Sequence, residues 1–365
     1  MKSETRQKLL QIVMVILTIY FFLLSIKLLG HSFKLFGKDF AEAMLSTTSD
    51  PFAGLIIGIV ATSLIQSSST TTSIVVGLVA GGVVTLENAI PIIMGANIGT
   101  TVTNTLVSLG HMGRRLEFKR AFAAGVVHDF YNILSVIVLF PLELKFHMIQ
   151  KSALFLDKQF EGVGGMKLFN PLKAILAPVI SFIDKLFENV PYNDILLMVI
   201  SIVTMFVALA FLIKTIRSLV LDKIEIIINK YLFKNDFLGV IWGAGMTFIV
   251  QSSSVTTSLI VPLAGAGVVN LRKIFPYTLG ANIGTTGTAL LAALATTNPV
   301  AVTAAFAHLV FNIFGIAIFY PLKAIPIGLA ERISEYVSIS RRNLIMFLVG
   351  YSMIYFIPIL FIILF

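Results

Sequence analysis

The chain has 365 residues, 57% hydrophobic and only 12% charged, with a mean hydropathy of +0.95. A soluble domain carries about twice that charge, so the +9 net charge is read as basic flanks of membrane helices rather than a nucleic-acid surface. Cysteine is absent, which excludes disulfides and thiolate metal sites.

The first apolar run, 9–29, is too long for a signal-peptide core, and no small-residue cleavage site follows it. It is read as a retained helix. A charged connection covers 30–50. Short apolar stretches at 52–65 and 74–84 then flank Gln66-Ser67-Ser68-Ser69. Neither reaches the roughly 20 residues needed to cross a bilayer, so 52–84 is expected to be a re-entrant hairpin. The segment 88–109 opens near Pro91 and contains Gly95-Ala96-Asn97-Ile98-Gly99-Thr100-Thr101, which predicts a broken transmembrane helix. A helix at 119–140 follows, carrying His128, Asp129 and Asn132, and Pro141-Leu142 lies just beyond it.

After a linker at 144–190 the same grammar returns: helix 194–213, charged connection 214–236, hairpin 237–269, broken helix 273–294 and helix 301–320. Gln251-Ser252-Ser253-Ser254 and the run from Gly280 to Thr286 sit at one offset of 185 residues from their first copies. Over 66–101 against 251–286, 21 of 36 positions are identical. In the closing helix the offset becomes 180, pairing His128 with His308 and Asn132 with Asn312. The slippage falls in a loop, where indels are tolerated. A basic connection at 323–342 and an apolar helix at 344–365 end the chain.

The expected fold is therefore an all-α polytopic membrane protein. Repeat 1 occupies 1–143 and repeat 2 occupies 191–322, with 323–365 appended. Hairpins do not cross, so each repeat crosses three times and the second is inserted upside down. The basic segments place the N-terminus in the cytoplasm of a cell (inner) membrane protein, with the 144–190 linker and the C-terminus outside. The hairpins would enter from opposite sides and bring their tips together near the midplane.

Non-helical backbone at membrane depth must be buried in protein or line an aqueous cavity. Short helices ending at a common point aim their N–H groups at it, which favours an anion. Thr100, Thr101, Thr285 and Thr286, with Asn97 and Asn282, are candidate substrate-binding residues, and Thr hydroxyls with unwound carbonyls also suit Na⁺. Gln66 and Gln251 offer both donors and an acceptor. Neither repeated core contains Lys or Arg, so an anion held there could be released. Other readings stand beside these. Serines commonly line helix contacts in membranes. Asn97 and Asn282 fit helix caps as well as ligands. His128 and His308 read as internal hydrogen-bond partners rather than metal ligands. Asp129 is the one carboxylate deep in an apolar span and is a functional candidate on that ground.

These stretches resemble the type II sodium-dependent phosphate cotransporters. The resemblance rests on 66–73, 91–105, His128-Asp129-Phe130-Tyr131-Asn132 running to Glu143, 251–258, and 280–286 with 308–321. It implies inward movement of inorganic phosphate driven by sodium, with sodium as coupling ion and no cofactor. It also implies that Gln66 to Ser69 and Gln251 to Ser254 bind substrate, and that Thr256, Thr257 and Ser258 help bind sodium. Ser69, Thr72 and Ser254 complete the hydroxyl set expected to meet sodium. An aspartate at position 129 implies an additional Na⁺ and electrogenic uptake of HPO₄²⁻, with Asn132 one helical turn on sharing its face. The family's long cysteine-containing loop has no counterpart in the short, cysteine-free stretch 142–190, and its terminal regulatory tails are not expected. The expected partners are phosphate, sodium and the lipid bilayer, with a homodimer compatible and no nucleic acid. Two other classes fit parts of the pattern: an ion channel with re-entrant loops, and an intramembrane serine hydrolase using a Ser triplet with His128 and Asp129.

Overall fold

The computed structural model describes residues 10–18, 50–80, 84–159, 171–188, 235–250, 252–296 and 298–364, with scattered positions between 20 and 28 and between 190 and 211. Of the expected helices at 9–29 and 194–213, the described positions, 10–18 and several later ones in the first and 195–197, 199–201 and several later ones in the second, are helical; their other positions lie outside the described residues. Among the described residues the fold is all-α, with no strand.

Helix α1 (Pro51–Ile65) starts where Asp50 accepts the Ala53 amide and proline fills the first turn. It stops at Gln66, which adopts the left-handed conformation at φ 57° and returns its N–H to the Thr62 carbonyl. Helix α2 (Ser68–Ala80) restarts at once, with the Ser67 hydroxyl accepting the Thr70 amide at 3.2 Å. The expected first hairpin is thus two short helices joined at Gln66-Ser67. Helices α3 (Leu86–Gly99) and α4 (Val102–Leu109) follow, separated at Thr100-Thr101. At that break the Asn104 amide bonds to the Thr101 carbonyl, one residue closer than an α-helix requires.

Helix α5 (Arg115–Phe146) runs past the expected end at 140, straight through Pro141. His147, left-handed at φ 51°, ends it. The Glu143 carboxylate then accepts the Ile149 and Gln150 amides at 2.6 and 3.1 Å, capping α6 (Met148–Gln159). Helix α7 (Pro171–Phe187) follows, and the described part of the linker is largely helical.

In the second half, α8 (Asp236–Val250) leads to a hairpin return in two pieces, α9 (Ser253–Ser258) and α10 (Ile260–Gly265). The expected broken helix at 273–294 is not broken. Helix α11 (Leu271–Thr296) runs unbroken through Gly280 to Thr286. There the Thr285 and Thr286 hydroxyls donate back to the Ala281 and Ile283 carbonyls at 3.1 and 2.6 Å, within the helix. Thr100 and Thr101 make the same back-bonds, so the hydroxyls alone do not set the break. Helices α12 (Pro299–Phe319), α13 (Ala324–Ile339) and α14 (Arg341–Leu364) close the chain.

Three stretches are long and apolar enough to cross a membrane among the described residues: α3 with α4, α5, and α12. The packing repeats with the sequence. Helix α1 lies on α3 as α8 lies on α11. The contact is backbone on backbone: a Cβ at Gly95 would sit 2.1 Å from the Leu55 carbonyl, and one at Gly280 would sit 2.0 Å from the Val240 carbonyl. Small residues allow this approach. Each hairpin also crosses to the other half, with α2 against α11 and α9 against α4. At one end, Lys119 and Arg115 of α5 pair with Glu335 of α13. Lys323 and the Tyr320 hydroxyl engage Asp236 at the start of α8.

Candidate functional site

The duplicated asparagines form the centre. Asn97 of α3 donates Nδ2 to Asn312 Oδ1 of α12 at 2.8 Å, and accepts from His308 Nε2 at 3.0 Å. In the other half, Asn282 of α11 donates Nδ2 to Asn132 Oδ1 of α5 at 2.7 Å, and accepts from His128 Nε2 at 2.7 Å. Asn132 then donates to the Asn97 carbonyl at 2.7 Å, and Asn312 donates to the Asn282 carbonyl at 3.3 Å. Every bond in one set has its mate in the other at the repeat offsets; the four made by the Asn97 and Asn282 side chains join first half to second, and the two to backbone carbonyls lie within one half. All six residues are at most 3% exposed.

This geometry settles several expectations about side-chain engagement. Asn97 and Asn282 are not helix caps, because each lies inside its helix and its side chain is used across the repeat boundary. His128 and His308 are internal hydrogen-bond partners, as expected. Their Nε2 must carry the proton, since each faces an amide oxygen whose NH₂ is committed elsewhere. The Asn132 amide is likewise occupied at both ends. No triad is assembled: His128 bonds to Asn282, whereas Asp129 Oδ2 accepts from the Thr105 hydroxyl at 3.0 Å and the Tyr351 hydroxyl at 3.1 Å.

Around this centre lie the hydroxyl-rich tips. Ser68, Ser69, Thr72, Ser252, Ser253, Ser254, Thr256, Thr257 and Ser258 are buried, as are Thr100, Thr101, Thr285 and Thr286. Ser67 is half-buried and caps α2, and Ser252 caps α9 in the same way. Gln66 is held by its Nε2 donating to the Ser63 carbonyl and by the Thr103 hydroxyl donating to its Oε1. Gln251 lies outside the described residues.

The two tips are not equivalent. Ser254 Oγ donates to the Thr100 carbonyl at 3.3 Å, the carbonyl released at the α3–α4 break. Its counterpart Ser69 Oγ, equally buried, has no partner. The Thr257 and Ser258 hydroxyls both donate to Asn104 Oδ1, at 3.0 and 2.8 Å. The counterpart of Asn104 is Ala289, and Thr72 and Ser73 bond instead to carbonyls of their own helix. Sequence reasoning therefore missed Asn104, Thr103 and Thr105 as members of the site, although all three fall in a stretch that carries the family resemblance. Duplication could not flag Asn104, because its mate is apolar.

The site as built contains buried hydroxyls, amides and one carboxylate, and its bonded groups come from both halves of the chain. It can present donors to an anion's oxygens and oxygens to a hard cation. The sequence profile described as Na+/Pi-cotransporter matches residues 21–156 and 204–330. The chain is 33% identical over 409 residues to sodium-dependent phosphate transport protein 2B of Homo sapiens, covering 86% of this chain and 59% of that protein. It is 33% identical over 410 residues to sodium-dependent phosphate transport protein 2A of Rattus norvegicus, covering 91% and 64%. The chain thus spans about three-fifths of the length of these relatives. No solved structure matches it.

Proposed function

Because the chain belongs to the Na+/Pi-cotransporter family, that of the type II sodium-dependent phosphate cotransporters, we propose that it is a secondary active transporter, not an enzyme, carrying inorganic phosphate inward on the sodium gradient. The observation that carries this reading is the buried cluster of neutral donors in which hairpin and helix groups of the two halves bond to each other. Ser254 on Thr100 and the Thr257–Ser258 pair on Asn104 are its clearest members. Neutral donors bind phosphate without a permanent counter-charge, and co-bound sodium balances the anion. Release then follows from loss of sodium.

In this reading Gln66 to Ser69 and Gln251 to Ser254 hold phosphate, while Thr256, Thr257, Ser258 and Thr72 face sodium. The paired asparagines fasten the halves and sit beside the ligand. Alternating access would expose the tips to each side in turn, with repeat 2 inverted and the N-terminus cytoplasmic. Asp129 adds a cation-binding charge without a mate in the other half, which makes uptake of HPO₄²⁻ electrogenic.

The test is uptake of radiolabelled phosphate into proteoliposomes. An inward Na⁺ gradient should drive accumulation and K⁺ should not. Undiminished uptake in K⁺, or sulfate competing as well as phosphate, would refute the proposal. Removal of the potential response by Asp129→Gly, with Na⁺-driven uptake retained, would support the electrogenic assignment.

A further inference from the structure

Asp129 stands outside the duplication. Its counterpart at offset 180 is Leu309, and one of its two partners comes from outside both repeats. Oδ2 is satisfied by Thr105 of α4 and by Tyr351 of α14. Oδ1 is buried and has no partner. One turn beyond Tyr351, Tyr355 is 1% exposed, and the two rings lie 4.7 Å apart. The Tyr355 hydroxyl lies beside the same carboxylate and beside Thr101, without reaching hydrogen-bond geometry to either. Phe347 stacks on Tyr351 from the other side at 5.5 Å. This aromatic ladder fixes where the two phenols stand.

A carboxylate with one oxygen held and one free, buried next to an unengaged phenol oxygen, is a partial oxygen shell. A charge at that depth is costly unless matched. The group that matches it must be small and positive, because the described surroundings are packed and hold no Lys or Arg in contact. Sodium takes several oxygen ligands, and phenol oxygens can serve among them.

Resting on the reading of Asp129 as a cation site in a sodium-coupled transporter, we propose that Tyr351 and Tyr355 of the C-terminal helix are positioning residues for that cation. Tyr351 anchors Oδ2 and so turns Oδ1 toward the ion. Tyr355 presents a further oxygen beside it. The cation then bridges repeat 1 to a helix that belongs to neither repeat, and its occupancy depends on α14 staying against α5.

The experiment measures phosphate uptake in proteoliposomes for the wild type, Tyr351→Phe, Tyr355→Phe and Asp129→Asn. Apparent Na⁺ affinity is read at saturating phosphate, and phosphate KM at saturating Na⁺. Tyr351→Phe removes one hydrogen bond to a buried charged acceptor and should weaken Na⁺ at least about fivefold, with phosphate KM unchanged. Tyr355→Phe should act in the same direction. A simple packing defect would move both constants together and would overturn the inference. Wild-type Na⁺ dependence in both tyrosine variants, with Asp129→Asn altered, would also overturn it while leaving the cation site standing. Wild-type Na⁺ dependence in Asp129→Asn removes the cation site and the inference with it. Wild-type uptake indifferent to Na⁺ removes the functional reading itself.

Discussion

Replacing Asn282 with alanine tests whether the central network holds the two halves together. The substitution deletes one amide and strands two buried groups, the His128 Nε2–H and Asn132 Oδ1, each within 2.7 Å of it now. Both groups are fully buried, His128 and Asn132 being 0% exposed. Each orphaned group costs about 1–3 kcal/mol, so Asn282→Ala should destabilise by about 2–6 kcal/mol. Asn97→Ala strands the matching pair, His308 Nε2–H and Asn312 Oδ1, and should cost the same within about 1 kcal/mol, on the same reasoning. The assay is thermal unfolding of the purified protein in detergent, with His128→Ala combined in a double-mutant cycle. Residues sharing one network should be non-additive by about 0.5–3 kcal/mol. A cost within about 0.5 kcal/mol, as for an ordinary surface change, would show that the network does not bind the halves. So would strict additivity of His128→Ala with Asn282→Ala.

Further outcomes are expected. Gly95→Ala and Gly280→Ala put a methyl about 2 Å from a backbone carbonyl that cannot rotate away. Each should lower stability by about 3 kcal/mol or more, whereas Gly350→Ala, with nothing within 4 Å, should be neutral; detergent melting curves decide. Ser69→Ala loses no intramolecular hydrogen bond, so it should melt as the wild type does while weakening phosphate or sodium uptake by roughly five-fold or more; unchanged uptake would make Ser69 a packing residue. His111, in the loop between α4 and α5, is buried with neither ring nitrogen bonded. Burial pushes its pKa from 6.5 down to about 4. The unfolded chain binds the extra proton between those values, so this contribution to stability is complete above pH 6.5 and is lost as pH falls toward 4. His111→Gln should flatten the fall in melting temperature between pH 7 and 5, and an identical pH profile would refute the assignment.

Much was legible in the sequence because the bilayer as solvent narrows the choices. Apolar runs of set length must be helices, and short ones flanking Gln66 and Ser67 must turn back. The turn is made where expected, by a left-handed Gln66 and a Ser67 cap. Duplication then singled out Asn97, Asn282, His128, His308, Asn132 and Asn312, since packing alone would not preserve polar residues at fixed offsets. It marked these six as belonging together without saying how. Identical letters also misled. The run at 280–286 predicted a break that α11 does not show, because sequence identity carries no information about which neighbour competes for a carbonyl. In the first copy Ser254 takes the Thr100 carbonyl, and the ladder shifts there. In the second, Ser69 makes no such bond and the helix runs on.

The sequence by itself determined the class, most of the helical grammar and the duplicated polar residues, because these follow from local periodicity, from repetition and from the cost of polar groups in lipid. Tertiary structure decided the pairing. That each asparagine reaches into the opposite half, that Asn104 collects Thr257 and Ser258, and that Tyr351 from the C-terminal helix reaches Asp129 are contacts between residues some 150 to 220 positions apart. No spacing rule spans that distance. Such contacts are set by how whole helices pack, and the backbone approach allowed at Gly95 and Gly280 sets that packing.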